Sequence, residues 1–297
     1  MPLRLLFLAF ALTVSACAPT GISVPDTSEV PVGPVVVETD DYENENLHAV
    51  LWTQTAPEFR ALTLQTFAAA RAALPRALAD TSWTAAPEQR AMGGYGMLPP
   101  AVVLDVDETV LDNAAYQARL VQTDGVYSRE SWQAWVDEAA APPVPGVLAF
   151  TRAADSLGIA VVYLTNRRAS EEEATRRNLL AEGFPVRDDF DAVITRGERP
   201  EFEPGDKGPR RRAVAEQFRV LALLGDNLGD FLSDVDTSVE ERDRLAAPYA
   251  GWWGERWFML PNPQYGSWES ALFDNDYSLT REERLERKAA QLRTGRE

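Results

Sequence analysis

Five short apolar runs in the middle and C-terminal parts of the chain alternate with segments of helical spacing. Each run is continuously apolar, which is typical of strands that are buried on both faces. Alternation of such strands with helices predicts a parallel sheet with helices on its faces. The fold class is therefore α/β, a Rossmann-like doubly wound sheet with its ligand site at the carboxyl ends of the strands. The predicted strands are Ala101–Val106, Ala160–Thr165, Ala192–Thr195, Val220–Gly225 and Trp257–Leu260.

Helical patterns precede the sheet and separate its strands. Residues 47–78 carry apolar side chains at helical spacing, interrupted by Pro57 and Pro75, which predicts two helices before the first strand. Three further helices are predicted near residues 146–157, 170–182 and 208–218. A charged, amphipathic helical tail is predicted at 281–297.

The first sixteen residues are typical of an export signal, because Arg4 precedes an apolar run that ends at Val14. That run has about ten residues, which is too short to span a bilayer. It leads into Val14-Ser15-Ala16-Cys17, a segment that resembles the bacterial lipobox. Cys17, the single cysteine of the chain, is therefore predicted to carry a membrane-anchoring lipid. A soluble periplasmic protein cut near Ala16 is the alternative.

Composition divides the rest of the chain. Residues 17–45 are rich in proline, small residues and then acidic residues, which predicts a lipidated, flexible tether. The main domain is predicted at 46–280, as a helical part at 46–98 and an α/β core at 99–270 with a cap-like insert at 113–145. Ala18 follows Cys17, which favours a periplasm-facing place at the outer membrane if the cell has two membranes.

Charge and residue usage exclude several classes of function. The net charge is −17, and Arg210–Arg212 is the longest basic run, so a nucleic-acid polymer is not expected as partner. One histidine, His48, and one cysteine exclude a two-histidine metal centre and a multi-cysteine zinc site within one chain. Because the electrostatic field of the net negative charge repels anions, any anion site must obtain its positive potential locally from a metal ion, lysine or arginine.

Polar and charged side chains follow the predicted strands where these end. Carboxylates are costly inside a sheet but natural at its ligand-binding edge, and the carboxyl ends of parallel strands meet at that edge. The residues concerned are Asp105 and Asp107 after the first strand, Thr165 and Asn166 at the second, Lys207 at the start of a crossover helix, and Asp226 and Asp230 after the fourth.

These residue types suit phosphoryl transfer. The carboxylate of Asp105 can attack phosphorus and form an aspartyl phosphate, and Asp107 can protonate the leaving alkoxide and later deprotonate water. Repulsion between this carboxylate and the phosphate requires a hard cation such as Mg²⁺, for which Asp226 is a second ligand. A halide leaves without a proton, so an acid at Asp107 favours a phosphatase over a dehalogenase.

The remaining polar residues complete such a site. Thr165 and Asn166 offer hydrogen-bond donors to phosphoryl oxygens, and Lys207 offers a positive charge to the transition state. Asp230 suits a water-mediated role near the metal, while the backbone carbonyl of Asp107 is a further candidate ligand.

These motifs resemble those of the haloacid dehalogenase-like superfamily. Residues 104–113, 225–231 and 260–269 look like the class C acid phosphatases, bacterial lipoproteins of which several act as 5′-nucleotidases. The resemblance covers most of the chain past residue 45 and implies a smaller helical subdomain over the site. It also implies Asp105 as nucleophile, Asp107 as acid and base, one Mg²⁺ or another divalent ion at Asp105, Asp107, Asp226 and Asp230, and a phosphate site at Thr165, Asn166 and Lys207.

Two tyrosines are candidates for holding the rest of the substrate. Tyr127 precedes a helix that carries Trp132 and Trp135, and Tyr265 follows the last strand, so a nucleobase can stack between such rings. The expected function is hydrolysis of small phosphate monoesters, nucleoside 5′-monophosphates in particular. Phosphate transfer to alcohols and a non-catalytic, ligand-binding lipoprotein are the alternatives.

Overall fold

The computed structural model describes residues 44–293. The predicted export signal at 1–16, the lipid attachment at Cys17 and nearly all of the predicted tether at 17–45 lie outside these residues and stay predictions. Within the described part of the chain, no helix combines the length and the apolar character that a membrane crossing needs.

Five parallel strands form one sheet. The strands are β1 (Pro100–Leu104), β2 (Ala160–Arg168), β3 (Val193–Arg196), β4 (Arg219–Gly225) and β5 (Trp257–Met259). Their order across the sheet is β3-β2-β1-β4-β5, and each neighbouring pair is parallel. The chain starts in the centre, builds one half of the sheet and then crosses to build the other. This is the doubly wound order, so the predicted fold class is confirmed.

One strand is longer than its apolar run. The sequence predicts an end at Thr165, but β2 continues to Arg168, which pairs with Arg196 of β3. The register between these strands shifts after Leu164, so residues 165–168 form an irregular extension. Polar residues continue the strand because this end of it faces a cavity rather than the apolar core.

Helices precede the sheet, flank it and follow it. In residues 44–293 they are α1 (Leu47–Thr55), α2 (Pro57–Ala79), α3 (Pro87–Met92), α4 (Ala114–Gln122), α5 (Arg129–Glu138), α6 (Val147–Ser156), α7 (Glu172–Ala181), α8 (Gly208–Gln217), α9 (Val239–Ala246), α10 (Ser267–Ser270) and α11 (Arg281–Ala290). Helices α4 and α5 lie within the predicted insert at 113–145. The predicted helices near 146–157, 170–182 and 208–218 correspond to α6, α7 and α8.

The core lies on both faces of the sheet, because alternate residues of a strand point to opposite sides. On one face Leu104 of β1 belongs to the apolar cluster that contains Phe67 of α2 and Phe150 of α6. On the other face Val103 belongs to a second cluster with Val214 of α8. Burial on both faces explains the continuously apolar runs in the sequence.

The helix before the sheet tolerates an internal proline. The sequence pattern predicts an interruption at Pro75, but α2 continues through it. Proline leaves the carbonyl of Arg71 without an amide donor, and Arg71 is exposed, so water can satisfy that oxygen. The following turn is held from the sheet, since Arg219 Nη1 donates to the carbonyl of Ala77 at 2.7 Å.

Candidate active site

Two aspartates follow the central strands of the sheet. β1 ends at Leu104, and the backbone N–H of Asp105 donates to the carbonyl of Leu224 in β4 at 2.9 Å. β4 ends at Gly225, and Asp226 follows directly. Because β1 and β4 are parallel neighbours, both carboxylates lie at the same edge of the sheet. Asp105 is 9% exposed, so its charge is largely removed from water.

A third aspartate folds back onto the end of β4. Residues 228–230 form a 3₁₀ turn, and Asp230 Oδ2 accepts a hydrogen bond from the backbone N–H of Asn227 at 2.9 Å. A Cβ atom on Gly225 would lie only 2.2 Å from Asp230 Oδ2. Glycine at this position therefore provides the space that the carboxylate of Asp230 occupies.

The three carboxylates lie close together, and two of them contact one lysine. Oxygen atoms of Asp105, Asp226 and Asp230 lie within 4.8 Å of one another. Lys207, at the start of α8, contacts Asp105, and its Nζ donates to Asp230 Oδ1 at 2.6 Å. Burial raises the pKa of Asp105 well above its usual range. Burial, and then the charge of Asp230, raise the pKa of Asp226 to about 7.

This arrangement fits a divalent cation. Three ionised carboxylates around one ammonium leave a net charge of two negative units in a buried place, which is unfavourable without a further cation. All of the candidate ligand atoms are oxygens, which suits hard cations such as Mg²⁺ or Ca²⁺ better than soft ones. The side chains of Asp105, Asp226 and Asp230 can therefore hold a metal ion together, and the predicted further ligand at Asp107 stays a prediction.

Asp107 lies outside that cluster and is held by other partners. Arg167 Nη2 donates to Asp107 Oδ1 at 2.8 Å, and Arg167 Nε lies 3.0 Å from the same oxygen. Asn113 Nδ2 donates to Oδ1 at 3.0 Å. The Arg167 side chain is 1% exposed, and its Nη1 donates to Thr175 at 3.1 Å, so the guanidinium has a fixed position.

The next residue, Glu108, links the turn after β1 to the loop after β5. Its backbone has a φ of 60°, a left-handed conformation that few residues other than glycine adopt. Its carboxylate accepts hydrogen bonds from Asn113 and from the hydroxyl of Tyr265. Burial, and then the charge of Asp107, raise the pKa of Glu108 to about 8.

The predicted phosphate-binding residues differ in how they face the site. Asn166 is exposed, and its Oδ1 accepts from Arg210 Nη2 at 2.5 Å, which leaves its amide N–H groups free to bind an anion. Arg210 itself is fully buried, and this burial lowers its pKa to about 10. Thr165 is also fully buried, and its Oγ1 accepts from the backbone N–H of Arg167 at 3.0 Å.

A cavity of about 1100 Å³ opens over these residues. Asp105, Asp107, Asn166, Lys207, Asp226 and Asp230 line it. Tyr127 and Tyr265, the two predicted substrate-pocket residues, line it as well, together with Trp132 of α5. The structure therefore brings the predicted residues to one cavity, apart from the buried hydroxyl of Thr165.

A family model matches most of the chain. The model of the HAD superfamily, subfamily IIIB (acid phosphatase), matches residues 44–268. The chain belongs to this acid phosphatase family. Similarity to solved class C acid phosphatases confirms the predicted membership of that class.

Solved structures agree with this membership. The class C acid phosphatase from Bacillus anthracis superposes with a TM-score of 0.72 at 32% identity, over 84% of this chain and 97% of that one. The same class of enzyme from that organism with tungstate bound gives a TM-score of 0.72 at 31% identity.

Plant proteins are also similar. Acid phosphatase 1 of Solanum lycopersicum is 29% identical over 166 residues, which are 55% of this chain and 57% of that protein. A stem 31 kDa glycoprotein of Glycine max is 24% identical over 166 residues, or 55% and 58% of the two chains. The chain thus matches little more than half the length of these curated relatives.

Sequence reasoning missed part of this acid phosphatase site. The sequence motifs give no individual role to Arg167, and Arg210 stands out only as the start of the longest basic run. The structure buries both and pairs them with Asp107 and Asn166. The available signal was a guanidinium, Arg167, two residues after the predicted strand end at Thr165. Nothing local to Glu108 indicates its contact with Tyr265, which is 157 positions away.

Proposed function

We propose that this acid phosphatase family member hydrolyses small phosphate monoesters through an aspartyl phosphate on Asp105, with a divalent metal ion at the site. The observation that carries the proposal is the position of Asp105 between two other carboxylates and the ammonium of Lys207. A second aspartate, Asp107, lies two residues away and lines the same cavity. Nucleophile and acid therefore face one substrate.

In the first step, a carboxylate oxygen of Asp105 attacks phosphorus, and the bond from phosphorus to the alcohol oxygen breaks. Asp107 transfers a proton to that oxygen, so the product leaves as a neutral alcohol. Lys207 carries the positive charge nearest to the nucleophile, and Asn166 presents amide donors to phosphoryl oxygens. Arg210 supports Asn166 in that orientation.

In the second step, water attacks the phosphorus of the aspartyl phosphate. Asp107, now deprotonated, takes a proton from that water, and the bond between phosphorus and the Asp105 oxygen breaks. Inorganic phosphate and the free carboxylate result. The same aspartate thus acts as acid and then as base, which closes the cycle without a further titratable group.

Mg²⁺ is the metal that we propose, held by Asp105, Asp226 and Asp230. When bound, such an ion offsets the repulsion between carboxylate and phosphate and polarises a phosphoryl oxygen. Tungstate is a tetrahedral oxyanion like phosphate, so the Bacillus anthracis structure with tungstate bound is consistent with an oxyanion site in the family.

Nucleoside 5′-monophosphates are the proposed substrates. The cavity volume of about 1100 Å³ can accommodate a molecule of that size. Tyr127 is 59% exposed and, with Trp132 and Tyr265, gives the cavity aromatic surface on which a base can stack. The proposed role is to release nucleosides for uptake at the cell envelope. A lipid on Cys17 is proposed to hold the enzyme there.

The deciding experiment measures phosphate release from nucleoside monophosphates and simple monoesters, with chelator and with added Mg²⁺. Metal-dependent release that favours nucleotides would support the chemistry and the substrate class. Equal release from all esters would contradict the proposed nucleotide preference but not the proposed chemistry. No release with any divalent metal would favour a ligand-binding lipoprotein, and phosphorylated product in the presence of added alcohol would favour phosphotransfer.

A further inference from the structure

The C-terminal helix α11 forms part of the wall of the active-site cavity. Arg281, Arg284 and Lys288 line the same cavity as Asp105. Their spacing of three and four residues places them on one face of the helix. This helix follows residue 268, where the family match ends, so the match assigns no role to these three side chains.

Two of the three cations have carboxylate partners that help to attach the helix. Arg281 Nη1 lies 3.1 Å from Asp124 Oδ1, in the loop before α5. Lys288 Nζ lies 2.8 Å from Glu45 Oε2 and 2.5 Å from Glu269 Oε1. These pairs connect the helix to the loop before α5, to Glu45 ahead of α1 and to Glu269 in α10, and they largely offset the charge of Arg281 and Lys288.

The middle cation is different. Within residues 44–293, Arg284 has no carboxylate in ion-pair contact; its guanidinium lies 5.9 Å from the ring centre of Phe273. Among residues 44–293, Arg196 also lines the cavity without an ion pair, but its Nε donates to the backbone carbonyl of Glu203 at 2.7 Å, whereas Arg284 has only the ring of Phe273 beside it. An arginine presents planar donors that match the oxygens of phosphate or carboxylate.

We propose that Arg284 forms a second anion subsite, which recognises a negatively charged group on the part of the substrate that does not react. The ligand class is a phosphate monoester with a second phosphate or carboxylate, for example a nucleoside 3′,5′-bisphosphate. The reacting phosphate lies at Asp105 and Lys207, and the second anion lies against α11. This inference rests on the proposed monoesterase site and names a substrate class for it.

The test compares the binding of adenosine 3′,5′-bisphosphate with that of AMP by calorimetry. The full chain carries Asp105→Asn to prevent turnover and is measured with Mg²⁺. In this background we expect a preference for the bisphosphate, and Arg284→Gln reduces that preference about fivefold, as for a half-exposed ion pair. Raising the salt concentration reduces it as well.

Arg287→Gln is the matched control. Arg287 lies on the same helix, pairs with Asp274 at 2.9 Å and does not line the cavity. If Arg287→Gln lost the preference for the bisphosphate over AMP equally, the effect would reflect net charge alone and the inference would be overturned. An unchanged preference in Arg284→Gln would overturn it as well. Failure of the proposed function looks different: the wild-type chain would release no phosphate from any monoester, whatever the binding preference.

Discussion

Arg167 and Asp107 form a partly buried ion pair in which the two oxygens of the carboxylate are not equivalent. Oδ1 accepts from Arg167 Nη2 at 2.8 Å, from Arg167 Nε at 3.0 Å and from Asn113 Nδ2 at 3.0 Å. Oδ2 has one longer contact, at 3.3 Å from Arg167 Nε. In the proposed mechanism, the less engaged oxygen, Oδ2, is therefore the one that carries the proton to the leaving group.

We expect Arg167→Met to impair the acid step more than the binding of phosphate. Without the guanidinium, Asp107 loses its fixed orientation, so kcat/KM falls about tenfold or more for alkyl phosphates. The loss is smaller for p-nitrophenyl phosphate, whose leaving group needs little protonation. Kinetics across a series of leaving groups measures the difference.

Arg168→Gln serves as control for this substitution. The Arg168 side chain is 40% exposed, and its guanidinium lies 3.9 Å from the carboxylate of Glu203, so we expect wild-type kinetics. A second check uses Asp107→Asn: in that background, Arg167→Met adds no further dependence on the leaving group. An equal loss for all esters in Arg167→Met would point to a general structural defect instead.

Asp105→Asn removes the proposed nucleophile at nearly constant shape. The amide cannot form the aspartyl phosphate, so we expect turnover to fall below roughly one thousandth of wild type. Burial of three carboxylates is unfavourable, and the substitution removes one of them, so the thermal unfolding temperature does not fall. Substantial remaining activity with normal metal dependence would show that another residue attacks phosphorus.

The strand ends of this site were predictable because they depend on local sequence. Asp105 and Asp226 follow continuous apolar runs, and a charged residue cannot continue into a core that is buried on both faces. The partners of those residues were not predictable. Arg167 meets Asp107 across 60 positions, and only the packing of β2 beside β1 brings them together.

Short elements with little buried surface were missed for a related reason. Helix α9 spans eight residues and has no buried residue, so its sequence holds too few apolar positions to show a helical period. The longer β2 was missed because Asn166 and Arg168 are polar, although they continue the backbone of the strand. Hydrophobic patterning reports burial, and these segments gain their structure from hydrogen bonds and from neighbouring elements.

Gly225→Ala tests the close approach of Asp230 to the end of β4. A methyl group at 2.2 Å from Asp230 Oδ2 forces the carboxylate and its turn to move. We expect metal affinity to fall about tenfold, in the range of losses for displaced metal-site groups. Titration calorimetry with Mg²⁺ measures it. Gly251→Ala is the control, because a Cβ there meets no atom within 4 Å.

Tyr265 combines a ring that lines the cavity with a hydroxyl that donates to Glu108. Tyr265→Ala removes both, and we expect kcat/KM to fall about tenfold more for AMP than for phenyl phosphate if the base stacks on the ring. Tyr265→Phe keeps the ring and should retain the ratio between the two substrates. The same loss for both substrates in Tyr265→Ala would exclude stacking on this ring.

Removal of the metal should make the stability of the chain depend on pH. In the folded chain without metal, burial raises the pKa of Asp226 to about 7 from 3.8, and that of Glu108 to about 8 from 4.5. The folded state therefore binds more protons than the unfolded state between these values, and stability falls as the pH rises through this window. We expect the unfolding temperature in chelator to be several degrees lower at pH 8 than at pH 5.

Added Mg²⁺ opposes that loss, because it binds the ionised carboxylates of the folded state and is most effective at the higher pH. Calorimetric scans at both pH values, with chelator and with Mg²⁺, measure the effect. Asp226→Asn removes one of the buried carboxyl groups whose pKa is raised, so its unfolding temperature in chelator should change less with pH. The opposite result would be a wild-type chain in chelator that is more stable at pH 8 than at pH 5. The buried carboxylates would then already be ionised without metal, and no cation would be needed to offset their charge.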